Sequence, residues 1–313
     1  MELTRRSLEF GPINLFGTTI NPTIHWYGVI IVLAIIVGTS LAAWLAKKDD
    51  EDPEIVWNGV VWVVILAVIG ARLWSVLFPA GNAGQGVTWN LDYITDLRDG
   101  PLAIWSGGLS IFGAIFGGLL GVGLYARRHK LRLLPWADRV AIAMPLGQAI
   151  GRWGNFVNQE LYGRPSNLPW AIKIDYPLPP YADETHFHPL FLYESLWSLA
   201  LFVLLLYLWR KRRQQFQLGD FLLMYVMGYS LGRFLLEFIR VEIPKVGSVN
   251  ASQIITALMF FGALIIFLAR RRTEYFVAEH HTPFGQEQPP TKKKPITKSS
   301  STRKPPPKPA TKR

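Results

Sequence analysis

The chain has no cysteine among its 313 residues. That absence excludes disulfides, thiolate metal ligands and a cysteine nucleophile supplied by the protein itself. Charge is scarce: Asp, Glu, Lys and Arg make up 18% of the sequence, against about 25% in ordinary soluble domains. No cleavable leader is expected either. The opening "MELTRRSLEFGPINLFG" has neither a continuous apolar core nor a small-residue cleavage site, so the first apolar run is expected to act as its own insertion signal. No Walker-type loop, zinc-ligand spacing or Ser/His/Asp constellation stands out, and neither metal nor cofactor is expected.

What the chain does have is apolar length. Half of it is hydrophobic, with a mean hydropathy of +0.20. A helix needs about 20 apolar residues to cross a bilayer. Runs starting at Trp26, Ile55, Ile104, Pro189, Leu218 and Ala251 meet that length. The stretch from Ala137 to Ile150 is shorter and contains Pro145, which makes it a seventh, partly broken span. The expected fold is all-α: a polytopic membrane bundle of seven spans over residues 1–272, with a small outward-facing segment.

Orientation follows from the short loops, because Lys and Arg concentrate on the cytoplasmic side. "AKKDDEDPE", "ARRHKLR", "WRKRRQQF" and "ARRR" follow the first, third, fifth and seventh runs, and the alternate loops are poorer in basic residues. Seven spans then leave the N-terminus outside and the C-terminus in the cytoplasm. Arg5 and Arg6 oppose this assignment only weakly, since they lie well before the first run.

Residues 273–313 differ in kind. Rich in Pro, Ser and Lys, they hold nine basic and three acidic residues, six of the eleven net positive charges. Such a segment cannot bury a core and is expected to be a disordered tail. It lacks any fold that reads bases, so nucleic acid is not the expected partner. Anionic lipid headgroups at the cytoplasmic face suit it better.

Polar groups inside the spans carry the chemistry. "GRWGNFVNQELYG", residues 151–163, packs Arg152, Asn155, Asn158, Gln159 and Glu160 between glycines that include Gly163. Arg72 ends the second run, and His25 and Tyr27 open the first in "IHWYG". His188, Tyr193 and Glu194 begin the fifth, and Arg233, Glu237 and Arg240 lie near the end of the sixth. Under the topology above, all of these converge on the outward side. Arg152, Asn155 and Gln159 share one helical face by spacing, as do Arg233, Glu237 and Arg240.

Charges at membrane depth are costly and usually mark a site. Paired guanidiniums near the headgroup level form a phosphate receptor, because each planar fork bonds two oxygens. A plain Arg233–Glu237 ion pair fastening two helices is the competing reading, and Trp26 with Tyr27 also fits an interfacial aromatic belt. Glu194 and His188 read equally as groups that orient the fifth span. Gly113, Gly117 and Gly121, four residues apart, fit close helix packing.

These residues resemble a known family. "GRWGNFVNQELYG" is similar to the signature of the bacterial prolipoprotein diacylglyceryl transferases. The likeness continues in order through "IHWYG", "GARLW", "WSGGLSIFGA", "HPLFLYE", "GRFLLEFIR" and "ASQI". The resemblance implies a seven-span enzyme of the bacterial inner membrane with phosphatidylglycerol and prolipoprotein signal peptides as substrates. It would move the diacylglyceryl group onto the lipobox cysteine thiol, forming a thioether and releasing glycerol phosphate. Carried over, the signature residues are Arg152, Asn155, Asn158, Glu160 and Gly163. Tyr27 matches a functional tyrosine, Arg233 and Glu237 a late arginine–glutamate pair, and His25 joins the lipid-binding set. One departure stands out: many relatives have a histidine in the third span where this chain has Phe112. A transporter of an anionic or lipid substrate is the alternative class, although no paired halves with matching interruptions are visible.

Overall fold

The computed structural model describes residues 6–9, 11, 23–78, 109–241 and 250–271 in full, and the backbone alone of 2–3, 13–15, 18–20, 245–246 and 249. The expected domain boundary at 272–273, the basic tail and the start of the third run at Ile104 lie outside the described residues. Among the described residues seven α-helices follow one another: α1 (Trp26–Lys48), α2 (Glu54–Leu77), α3 (Ile111–Arg128), α4 (Leu133–Asn158), α5 (Leu190–Arg212), α6 (Asp220–Leu236) and α7 (Ala251–Arg271). Short strands occupy the connections. Ser7–Glu9 pairs antiparallel with Thr23–His25 ahead of α1, and Ile172–Lys173 pairs with His186–Phe187 between α4 and α5.

Four of the helices, α1, α2, α5 and α7, are long and apolar enough to cross a membrane. Their exposed surfaces carry Val32, Leu33, Ile65, Leu73, Val203, Leu258 and Ile265, each at least half accessible. A soluble monomer would not leave so much apolar surface open to water. The remaining three differ for visible reasons: α6 has 17 residues, α3 has 18 and ends in Arg127 and Arg128, and α4 carries polar side chains at both ends.

The reading of α4 as short and partly broken is corrected. It is one continuous helix of 26 residues that runs through Pro145. Proline removes one backbone hydrogen bond and crowds the preceding turn. Here Pro145 is fully buried, and α4 lies closely along α1, where a Cβ on Gly147 would come within 3.2 Å of the Ala34 carbonyl. Packing on both sides outweighs the missing bond.

The glycine stripe of α3 does pack as its spacing suggests. A Cβ on Gly113 or Gly117 would collide with the α2 backbone at Gly70 and Leu66, so the two helices touch main chain to main chain. The α2–α3 pair contacts the rest of the bundle chiefly through α1.

The end of the bundle away from the signature residues is fastened by buried charge. Asp49, after α1, bonds Arg139 of α4 at 3.0 Å and pairs with Arg213 after α5. Asp138 accepts hydrogen bonds from the backbone N–H of Gly219 at 2.6 Å and of Leu222 at 2.9 Å, capping α6 from a neighbouring helix. Asp220, fully buried, holds Arg271 at 2.7 Å and Arg270 at 3.5 Å. Lys47, Lys48, Arg127, Arg128, Arg210, Arg270 and Arg271 all sit in last turns, where positive charge complements the helix dipole.

Candidate active site

The opposite end of the bundle gathers the C-terminus of α4, the N-termini of α1 and α5, and the C-terminus of α6. Arg152 on α4 places Nε 2.6 Å from Glu194 Oε2. Arg233 on α6 places Nη1 2.8 Å from the other oxygen, Oε1. Arg233 Nη2 lies 3.0 Å from Glu237 Oε2, and Arg240 Nη1 reaches the same oxygen at 3.8 Å. Three guanidiniums and two carboxylates thus form one linked cluster with a net charge of +1. Glu194 and Glu237 are buried, so neither charge would be tolerated without its partners.

Glu194 is the group that the sequence left undecided. It stands in the first turns of α5, one residue after Tyr193, and takes both arginines. The only signal available for it was a carboxylate at membrane depth, which read equally well as an orienting group.

Asn155, also buried, donates from Nδ2 to Glu160 Oε1 at 2.8 Å, and the Glu160 N–H returns to the Asn155 carbonyl at 3.1 Å. The turn that allows this requires Gln159 and Leu161 at positive φ, 55° and 56°. Gln159 is therefore not on the helical face of Arg152 and Asn155, as its spacing suggested. α4 ends before it, and its amide instead exchanges two hydrogen bonds of 2.9 Å with Asp175. Likewise Glu237 caps α6 and Arg240 lies beyond it; the pair meets through a turn rather than along a continuous helix.

Gly163 is buried and works through its backbone. Its N–H donates to the His188 carbonyl at 3.0 Å, and the next N–H, of Arg164, donates to Ile239 at 2.8 Å. Gly163 also forms an antiparallel bridge to Arg240. A Cβ here would stand 2.8 Å from His188 Cβ and 3.0 Å from the Ile239 carbonyl, too close for any side chain. The segment after α4 is in this way tied to the start of α5 and the end of α6, which carry Glu194 and Arg233.

Tyr27, in the first turn of α1, packs its ring on Gly154, where a Cβ would stand 2.7 Å from Cδ2. Tyr27, Arg152 and Asn155 line the mouth of a cavity of about 770 Å³. From there it continues between α1, α2, α3 and α4 past Ile31, Ala34, Met144 and Val63 to Tyr125 and Trp136. Along α4 alone, the sixteen residues from Trp136 to Arg152 rise about 24 Å. A single leaflet of hydrocarbon is about 15 Å thick, so the cavity is deep enough for long aliphatic chains.

Not every expected residue joins the site. His25 is exposed, ends the strand before α1 and is absent from the cavity lining. Asn158, the last residue of α4, is half-buried and also outside that lining. Phe112 is 60% exposed and rests against Trp74 with ring centroids 6.0 Å apart. Its neighbour Ile111, not Phe112, lines the cavity. Among the described residues no group of three or more His, Asp or Glu side chains is arranged to hold a metal ion.

Residues 15–269 match the family described as prolipoprotein diacylglyceryl transferase. Three relatives, each named phosphatidylglycerol–prolipoprotein diacylglyceryl transferase, illustrate the likeness. The Gloeobacter violaceus protein is 40% identical over 235 residues, 74% of this chain and 83% of its own length. That of Thermosynechococcus vestitus is 38% identical over 236 residues, 75% and 84%. The Thermotoga maritima protein is 38% identical over 254 residues, 77% and 80%. With its apolar helices and a polar cluster drawn from "GRWGNFVNQELYG", "HPLFLYE" and "GRFLLEFIR", the chain belongs to the prolipoprotein diacylglyceryl transferase family of multi-pass membrane proteins.

Proposed function

We propose that this protein transfers the diacylglyceryl group of phosphatidylglycerol to the lipobox cysteine thiol of a prolipoprotein signal peptide. In this reading it is a seven-span protein of the bacterial inner membrane, with its N-terminus outside, its C-terminus in the cytoplasm and its tail against anionic lipid. The observation that carries the reading is Arg152 in the lining of a deep apolar cavity, joined through Glu194 to Arg233 just outside that lining. The lipid's acyl chains fill the cavity, and its phosphate sits between the guanidiniums.

The chemistry follows from charge. The acceptor thiol has an ordinary pKa near 8.5, so about a few per cent is thiolate at neutral pH, and nearby guanidiniums raise that fraction. Sulfur forms a bond to the glycerol carbon while the bond from that carbon to the phosphate oxygen breaks. The oxygen keeps the electron pair and leaves as glycerol phosphate, whose charge grows from about −1 towards −2. Arginines aimed at that oxygen bind the transition state more strongly than the ground state, which is what accelerates the step. Tyr27 and Asn155 complete the polar rim, Glu160 holds the Asn155 amide, and Glu237 anchors Arg233.

Incubating the purified protein with phosphatidylglycerol vesicles and a lipobox peptide tests the proposal. The expected product is a peptide heavier by one diacylglyceryl group in thioether linkage. A peptide recovered unmodified, while phosphatidylglycerol crosses the vesicle membrane instead, would overturn it in favour of transport.

A further inference from the structure

The connection between α4 and α5 carries an apolar feature that the phosphate site does not use. Leu168, Pro169 and Trp170 form the tip of a tight turn, closed by the Ala171 N–H donating to the Leu168 carbonyl at 3.0 Å. All three are exposed, Leu168 at 38% and Trp170 at 54%. Ser166 Oγ accepts from the Leu168 N–H at 3.3 Å, and the strand that follows, Ile172–Lys173, is paired with His186–Phe187. The turn is thus a fixed projection of a small folded unit.

Turn tips that face water are ordinarily built from polar or small residues such as Asn, Asp, Ser and Gly. An indole left open to water forgoes most of the stabilisation that burying an aromatic ring brings. The same connection exposes Lys173, Asp175, Asp183 and Glu184, so the apolar tip is a local feature and not its general composition.

Depth identifies what meets the tip. The Trp170 Nε1–H donates to Tyr193 Oη at 2.8 Å. Tyr193 stands in the first turn of α5, a helix long and apolar enough to cross a membrane. Arg210, Lys211 and Arg212 mark the far end of that helix. Counting back from Arg210 by the roughly 20 residues that span the hydrocarbon reaches Leu190, so Tyr193 lies about 5 Å inside the opposite edge. Side chains on a helix lean towards its N-terminus, and the Tyr193 hydroxyl meets His188 Nδ1, ahead of α5, at 3.2 Å. The indole nitrogen is therefore tied to the border between headgroups and hydrocarbon. Tryptophan concentrates at that level because its ring is apolar and its N–H polar.

We infer that the Leu168–Trp170 turn dips into the lipid interface at the arginine-cluster end of the bundle, and that the connection between α4 and α5 rests on the bilayer surface through it. The inference stands on the membrane helices and not on the transferase reading. Its consequence for the site is positional, because the same connection carries Glu160, which holds Asn155, and Gly163, which pairs with Arg240.

Because the chain has no cysteine, a single nitroxide label can be placed at will. Labels at Leu168→Cys and, as an aqueous reference, at Asp183→Cys are compared in vesicles of phosphatidylcholine and phosphatidylglycerol. The readout is collision with oxygen, which concentrates in hydrocarbon, and with a water-soluble nickel chelate. The 168 label should meet the chelate several-fold less often than the 183 label, and oxygen more often. Trp170→Ser in the Leu168→Cys background should move the 168 label towards the values at 183, since it removes both the apolar ring and the bond to Tyr193. Equal accessibility at 168 and 183 overturns the inference. So does a 168 label shielded from both quenchers, or shielded only after a lipobox peptide is added, because either marks a protein contact in place of lipid. A 168 label that Trp170→Ser leaves unmoved overturns the anchoring role of Trp170. The comparison of 168 with 183 keeps Trp170 in place, so it decides the matter even where the serine variant fails to fold.

Discussion

Arg152 of α4 and Arg233 of α6 are held on opposite oxygens of one carboxylate, that of Glu194, at 2.6 and 2.8 Å. Two guanidiniums brought together without such a bridge would repel each other across a weakly screened interior. Glu194 sets their separation in advance, so that an arriving phosphate meets a receptor already assembled. Preorganisation of this kind is where much of the rate enhancement at electrostatic sites originates.

Substituting lysine separates this arrangement from a purely structural ion pair. Arg152→Lys and Arg233→Lys keep a positive charge but lose the planar fork. Each should lower kcat about 10²-fold, the cost of one well-placed donor to a developing oxyanion, with a smaller change in lipid binding. The structural reading gives the opposite pattern: near-normal turnover in a less stable protein. Full activity in both lysine variants would defeat the phosphate-clamp mechanism.

The two glutamates should respond differently. Glu237 is buried and pairs with Arg233 and Arg240 at the end of α6. Glu237→Gln leaves Arg233 with Glu194 alone, and a loss of about 3 kcal/mol is expected, the lower end for breaking a buried pair. Glu194→Gln removes the bridge itself. It should cost stability and also raise KM for phosphatidylglycerol, because the two arginines are no longer held at a fixed spacing. A thermal melt of each variant with and without phosphatidylglycerol distinguishes them: added lipid should recover more of the lost stability in Glu194→Gln, where its phosphate replaces the missing charge.

Much of this was legible in the sequence because it rests on spacing and polarity. Apolar length pointed to the helices, glycines every four residues to close packing on α3 though not to α2 as its partner, and polar groups at the ends of the apolar runs to the candidate site. What could not be read was tertiary. The continuity of α4 through Pro145 depends on packing against α1. The departure of Gln159 towards Asp175 depends on a left-handed turn that helical spacing cannot reveal. Glu194 looked like any carboxylate near a helix start, and its role appears only once α4 and α6 bring their arginines to it. Gly163 carries its role in the main chain, where no side-chain argument could have found it.

Asp138 offers a test of the fold independent of the chemistry. Its carboxylate caps α6 by accepting from Gly219 and Leu222, at the end of the bundle away from the arginine cluster. Asp138→Ala should lower stability by about 1–2 kcal/mol, as the loss of a helix cap does, read as a shift in thermal unfolding in detergent. Turnover per folded molecule should be unchanged. A fall in kcat without a fall in stability would mean that this end of the bundle communicates with the site.

Phe112 provides the last prediction. Many relatives have a histidine at this position, and histidine is the residue type that most often serves as a general base. In the structure the Phe112 side chain is 60% exposed, lies beside Trp74 and does not line the cavity that reaches Arg152. A proton acceptor must come within hydrogen-bonding reach of the proton it removes, and a side chain at 112 would need α3 to turn about its axis to face the mouth. That rotation is opposed by the backbone contact of Gly113 and Gly117 with α2. Phe112→His should therefore leave kcat within about twofold of the unaltered enzyme, while Arg152→Lys measured alongside shows its large loss. If the histidine variant instead gained about 10²-fold, the scale of general base catalysis, proton removal would be the limiting step and α3 would have to present residue 112 to the thiol during turnover.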